Sequence, residues 1–215
     1  MHNSSWDQTR ERSQYHFDSE AWDDRWDTVQ RLGRVKPTWH HLVDDIVAQS
    51  RAVTWRTRGD PSKASRPEHE LAAEEYDLER AGYGKDLEVT NLNWQLPLEL
   101  QELAQRFAFQ DSMARIHVQH PGQVWNLHLD KLEKWCREDP SSVMRVMIQL
   151  TDWQPGHFWI YGNYHFWGWQ AGDVTTFDWI NVPHATANAG LVPRVTLQVT
   201  GIITDQTHKF LSSLI

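Results

Sequence analysis

The chain of 215 residues holds a single cysteine, Cys136, and so can form no internal disulfide. That suits a reducing compartment better than a secreted, cross-linked framework. No stretch approaches the roughly 18 consecutive apolar residues of a membrane-spanning helix. Met1 to Arg12 also lack the apolar core of a secretory leader. The expectation is a cytoplasmic protein with no membrane partner. Basic residues are scarce too: 21 Lys plus Arg stand against 29 Asp plus Glu, a formal charge of −8. This is the wrong sign for non-specific phosphate binding and disfavours a nucleic-acid partner.

Tryptophan is what the chain has in excess, at 13 residues, within a hydrophobic content of 40%. That is enough apolar matter for a core and argues against a disordered chain. The length fits one domain with elaborations. Each aromatic ring can bury roughly 150–250 Å², so core filling is the expected use of most tryptophans, ahead of an aromatic recognition surface.

Charge concentrates in the first half: residues 1–107 carry 20 acids and 14 bases, residues 108–215 only 9 and 7. The first half also holds a polar stretch from Thr57 to Pro67 that reads as an exposed loop. Segment 1–30 is polar and Trp-studded and reads as irregular. Two helices are expected here. Thr38 can cap one in which Trp39, Leu42, Val43 and Ile46 recur at helical spacing. Pro97 can open another with a stripe of Leu96, Leu100, Leu103, Ala104 and Phe107.

From about residue 113 the period changes to that of strands. Ala114–Gln119, Val124–Asp130, Val143–Thr151 and Arg194–Thr200 alternate or run apolar. Phe158–Tyr161 and Tyr164–Trp167 flank Gly162-Asn163, a two-residue hairpin turn. In that register Trp159, Tyr161, Tyr164 and Phe166 share one face, and Phe158, Ile160 and Trp167 the other. Apolar groups on both faces mean that the first half covers the hairpin, the preferred reading, or that an outer face meets substrate or a second subunit. The run of short strands predicts a closed or sandwich-like β-fold.

His128 and Asp130 lie two apart on a strand and so point the same way, with Leu127 and Leu129 opposite. An imidazole and a carboxylate on one face can supply two ligands to a divalent metal. His16-Phe17-Asp18 has the same spacing without a strand pattern and reads as surface. A third ligand must come from elsewhere, and His184 follows a turn and strand at Ala171–Asp178. Ten residues on, Arg194 opens the cleanest strand. There Thr196, Gln198 and Thr200 form a polar face and Val195, Leu197 and Val199 an apolar one, as in a barrel wall with a polar lumen. An arginine fork there suits a carboxylate. His117, His120, His157 and His165 read as surface or packing histidines. Arg145, Gln149 and Thr151 share a strand face and can line the same lumen, with Arg145 a candidate cosubstrate or substrate contact.

His128-x-Asp130, Gly172-Asp173 leading to His184, and Arg194 together resemble the Fe(II)/2-oxoglutarate-dependent dioxygenase superfamily over about residues 112–204. The stretch from Trp169 to Asp178, with His184, Asn188 and Arg194, is similar to aspartyl/asparaginyl β-hydroxylases. The intact His-x-Asp is similar to prolyl 4-hydroxylases, which generally carry Lys where this chain has Arg194. The resemblance implies a mainly β fold: a double-stranded β-helix, or jelly roll, over residues 96–215. An N-terminal helical and irregular elaboration, residues 1–95, would pack on it. It implies Fe(II) held by His128, Asp130 and His184, and 2-oxoglutarate anchored by Arg194, with Arg145 nearby. It further implies O₂-dependent hydroxylation of an amino-acid side chain, free or in a peptide or protein. Small-molecule and nucleobase substrates are less favoured. The rivals are a non-catalytic jelly-roll binding protein with a Trp-rich face, and a cupin-type metal enzyme without 2-oxoglutarate, against which Arg194 argues.

Overall fold

The computed structural model describes residues 29–54, 87–130, 132, 135–162 and 164–215. The expected irregular segment up to residue 28, His16-x-Asp18, the Thr57–Pro67 loop and Asn163 lie outside the described residues.

Eleven strands among the described residues make two antiparallel sheets. They are β1 (Gln30–Arg34), β2 (Arg51–Thr54), β3 (Glu88–Asn93), β4 (Gln110–Gln119), β5 (Val124–His128) and β6 (Val143–Gln149). Then follow β7 (His157–Tyr161), β8 (Tyr164–Phe166), β9 (Asp173–Thr176), β10 (His184–Asn188) and β11 (Arg194–Ile202). The larger sheet runs β1-β9-β6-β11-β4-β3-β2 and the smaller β5-β10-β7-β8. From β4 to β11 the chain passes back and forth between the sheets, which is the winding of a double-stranded β-helix. β1, β2 and β3 extend the larger sheet within the first 95 residues, where the sequence pattern pointed to helices and irregular chain.

Alternation along β11 does what its sequence asks. Val195, Leu197 and Val199 are fully buried on the outer face, packed with Ile116, Val118, Val146 and Ile148. Two helices cover that face: α1 (Val43–Gln49) and α2 (Leu98–Arg106). Trp39, Ile46, Leu100, Leu103 and Phe107 from this region join the same core. Thr38 does not cap the first helix; a 3-10 turn at His40–Leu42 intervenes, and α1 begins at Val43. Pro97 is the residue before α2, as its fixed φ allows. A third helix, α3 (Asp205–Leu211), begins where the Thr204 hydroxyl accepts from the Thr207 N–H at 3.2 Å.

The inner face of β11 presents Arg194, Thr196, Gln198 and Thr200, all buried. The barrel therefore has a polar lumen between its sheets. The hairpin pairs Tyr161 with Tyr164, Ile160 with His165 and Trp159 with Phe166, the expected register. Its inner face, Trp159, Tyr161 and Phe166, is at most 2% exposed. On the outer face Phe158, Ile160 and Trp167 stay 40–60% exposed, so no described residue of the first half supplies the expected cover. Most tryptophans among the described residues do serve the core, with Trp39, Trp125, Trp159, Trp169 and Trp179 all buried.

Gly172 fastens β1 to the barrel. Its N–H donates to the Gln149 carbonyl at 2.7 Å, and its own carbonyl accepts from the Val35 N–H at 2.9 Å. Its φ is +93°, and a Cβ there would lie 2.1 Å from the Val35 carbonyl oxygen. Gly172→Ala combines left-handed strain with a backbone clash, so it should destabilise the fold by about 3 kcal/mol. Chemical denaturation of the variant against the parent measures this, and equal midpoints would contradict it.

Candidate metal centre and lumen

The two histidines are brought together by strand pairing. His128 closes β5, His184 opens β10, and the two are direct register partners. Their rings stand 4.3 Å apart. Asp130 lies just past the end of β5, where its N–H donates to the Trp179 carbonyl at 2.9 Å. Its carboxylate reaches back between the imidazoles: Oδ1 is 3.7 Å from His128 Nε2 and Oδ2 is 3.7 Å from His184 Nε2. The three ligand atoms lie within 4.8 Å of one another, and all three residues are buried.

Each histidine is oriented in the same way. His128 Nδ1 is 2.7 Å from the Asn126 carbonyl oxygen, and His184 Nδ1 is 3.1 Å from that of Val182. A carbonyl only accepts, so Nδ1 carries the proton on each ring and Nε2 turns its lone pair toward the cluster. Burial lowers the pKa of His184, against the opposing pull of Asp130, which keeps its imidazole neutral and ready to ligate. Burial by itself would raise Asp130; Arg145, helped by His184 and His128, outweighs it and holds the carboxyl well below the usual range.

Arg145 projects from β6 onto this carboxylate, its Nη1 donating to Asp130 Oδ2. Its Nε donates to Thr200 Oγ1 at 2.9 Å, and its guanidinium lies 5.4 Å from the Trp179 ring. Arg145 is thus committed to the Asp130 carboxylate.

Arg194 is different. It is 4% exposed, its guanidinium lies over the Trp159 ring at 4.5 Å, and its Nε and Nη1 meet no hydrogen-bond acceptor. Burial pushes its pKa down to about 10, so it remains charged at neutral pH. A buried cation with unmet donors is costly unless an anion joins it.

One cavity joins these groups: His128, Asp130, His184, Arg145 and Arg194 all line it. Arg115, His117 and Gln198 line it too. Sequence reading placed His117 at the surface or in packing, and it is 8% exposed in the lumen wall. The alternation of Ala114–Gln119 carried the signal, since it sets Arg115, His117 and Gln119 on one face. His157 is a packing histidine: buried, with Nε2 3.0 Å from the Val192 carbonyl oxygen and its ring stacked on Trp169. His165 is exposed.

No family model matches the chain. No curated protein matches it either. Among solved structures, the non-heme α-ketoglutarate-dependent epimerase SnoN from nogalamycin biosynthesis superposes with a TM-score of 0.52 at 11% identity, over 83% of this chain and 77% of that one. A cupin 2 conserved barrel domain protein from Salinispora arenicola matches at TM-score 0.35 and 14% identity, over 70% of this chain and 98% of that one. A predicted oxalate decarboxylase from Thermotoga maritima matches at TM-score 0.35 and 15% identity, over 53% and 81%. The likeness is one of fold: a mainly β, double-stranded β-helix. Among the described residues, no helix is long and apolar enough to cross a membrane.

Proposed function

We propose that the protein is an Fe(II)- and 2-oxoglutarate-dependent dioxygenase that hydroxylates a C–H bond, most naturally on an amino-acid side chain. The substrate gains one oxygen atom from O₂; the other enters 2-oxoglutarate as it loses CO₂ to become succinate. The observation that carries this reading is the pairing of two distinct sites in one lumen. Two imidazole nitrogens and a carboxylate converge at one place, and a buried arginine with unmet donors waits at another.

The donor set fits the metal. Two histidines and one carboxylate on one side of an iron leave positions for other ligands, the arrangement used by non-heme Fe(II) oxygenases. When bound, the iron supplies O₂ activation coupled to decarboxylation of the 2-oxo acid. His128, Asp130 and His184 would hold it, with Nδ1–H bonds fixing both rings. Arg145 holds the Asp130 carboxylate in place. The Arg194 guanidinium, with donors still unmet, would grip the far carboxylate of 2-oxoglutarate. Trp159 packs its ring against the Arg194 guanidinium, and Trp179 lies against Arg145 and His184. The rival binding-protein reading needs an exposed tryptophan surface, whereas five of the nine tryptophans among the described residues are buried.

Purified protein supplied with Fe(II), ascorbate and 2-oxoglutarate should release succinate slowly even without substrate, and His184→Ala should release none. A parent protein that neither binds 2-oxoglutarate nor forms succinate would overturn the proposal. Asp130 also separates hydroxylation from halogenation. A halide needs the ligand place that a carboxylate otherwise fills, and Asp130 fills it. Turnover in chloride buffer should yield a product heavier by one oxygen, and a chlorinated product by mass spectrometry would refute this.

A further inference from the structure

Several buried donors in the lumen meet no acceptor. The buried side-chain atoms that meet no partner include Trp125 Nε1, Trp159 Nε1, Gln198 Nε2, and Arg194 Nε and Nη1. Each is a donor on a residue lining the cavity. Leaving such a group unmet costs about 1–3 kcal/mol, so the lumen is built for a guest rich in acceptors. 2-Oxoglutarate at Arg194 would answer the donors beside Trp159. It does not reach all of them. Arg115 and Gln198 are register partners four positions along β11 from Arg194, about 13 Å at strand rise.

At that second place Arg115 Nε lies 3.1 Å from His117 Nε2, and Arg115 Nη2 lies 3.4 Å from Gln198 Oε1. His117 Nε2 is also 3.1 Å from Gln198 Oε1. One ring nitrogen cannot both accept from Arg115 and donate to Gln198. The three contacts thus cannot all be hydrogen bonds at once, and the Gln198 Nε2 donor meets no acceptor. Trp125 stacks between His117 and His128, with ring centroids 5.4 Å from each, which sets this place beside the metal cluster.

We propose that Arg115, Gln198 and Trp125 form a second anion subsite that holds a carboxylate of the substrate being oxidised. The enzyme then acts on carboxylic acids, such as an amino acid or a C-terminal residue, seated by their acid group. This deepens the dioxygenase reading and rests on it for the identity of the first anion.

The test uses the Zn(II)-loaded full chain saturated with 2-oxoglutarate. A panel of N-acetyl amino acids and their matched carboxamides is screened by ligand-observed NMR. The expected result is binding of acids with amide counterparts at least about tenfold weaker. Arg115→Gln should weaken the acids roughly 10- to 100-fold, Arg115→Lys should recover part of the loss, and the affinity for 2-oxoglutarate should hold. Gln198→Leu, which keeps every charge, should weaken acids by about 5- to 10-fold and serves if Arg115→Gln folds poorly. Amides binding as tightly as acids, or no acid binding by protein that demonstrably holds 2-oxoglutarate, would overturn the subsite and leave the dioxygenase reading standing. Loss of 2-oxoglutarate binding in Arg115→Gln would overturn it too, by assigning Arg115 to the cosubstrate. A parent protein that binds acids but not 2-oxoglutarate would uphold the subsite and count against the dioxygenase.

Discussion

His184→Ala is expected to abolish turnover and to weaken metal binding by at least about two orders of magnitude, more than the 10–100-fold typical of losing an outer partner. The barrel should survive. The His184 side chain makes one hydrogen bond, to the Val182 carbonyl oxygen, and sits at the start of a strand held by backbone pairing on both sides. Asp130→Ala is a poorer probe of the same cluster. It would strand the Arg145 guanidinium in a buried place, a change that costs about 3–5 kcal/mol, and lost folding would then mimic lost metal. Titration of His184→Ala with Co(II), beside its circular dichroism, separates the two effects. Unchanged metal affinity would dissolve the proposed cluster.

Arg194→Ala should raise the dissociation constant for 2-oxoglutarate by roughly one to two orders of magnitude. Charge-assisted hydrogen bonds contribute about 1.5–3 kcal/mol, and each 1.4 kcal/mol is tenfold. Metal binding should be nearly unaffected, since the metal cluster and Arg194 lie on different sheets. An unusual companion effect is expected. Because Arg194 is a buried cation with unmet donors, its removal should leave the unliganded protein as stable as the parent, or more so. A folded variant with unimpaired 2-oxoglutarate binding would mean that another group holds the carboxylate. Arg145 would be tested next, although its bonds to Asp130 and Thr200 commit it elsewhere.

The strands of the second half were legible because their two faces see different surroundings. Val195, Leu197 and Val199 against Thr196, Gln198 and Thr200 is a pattern that a one-sided core and a polar lumen impose, and the structure realises both. Strand spacing put His128 and Asp130 on one face, and the resemblance of the wider motif added His184 and Arg194 to the proposed site. β1 to β3 were not legible. Arg51 and Ala52 of β2 and the glycine within β1 carry little strand propensity. In β1 and at the start of β2, pairing with the larger sheet outweighs weak local propensity. Arg145 illustrates the same limit at the site. Its strand face was readable, but its bond to Asp130 depends on a contact between sheets that no local pattern encodes. The exposed face of Phe158, Ile160 and Trp167 shows the converse: a two-faced apolar hairpin asks for a cover without saying what supplies it.

The imidazoles of the proposed metal cluster come from β5 and β10 in the smaller sheet, whereas Arg115, Arg145 and Arg194 come from β4, β6 and β11 in the larger one. The three guanidinium groups of the lumen thus come from one wall and the two imidazoles of the candidate metal cluster from the other. A substitution on β4 can change which acid is accepted without disturbing a strand that carries an imidazole ligand. If the proposed activity holds, the barrel can drift toward new substrates through β4 while the imidazole-bearing strands are kept. Directed evolution of this chain should accordingly find altered acceptor preference in changes at positions 115 and 117, and only loss of activity in changes at 128 and 184.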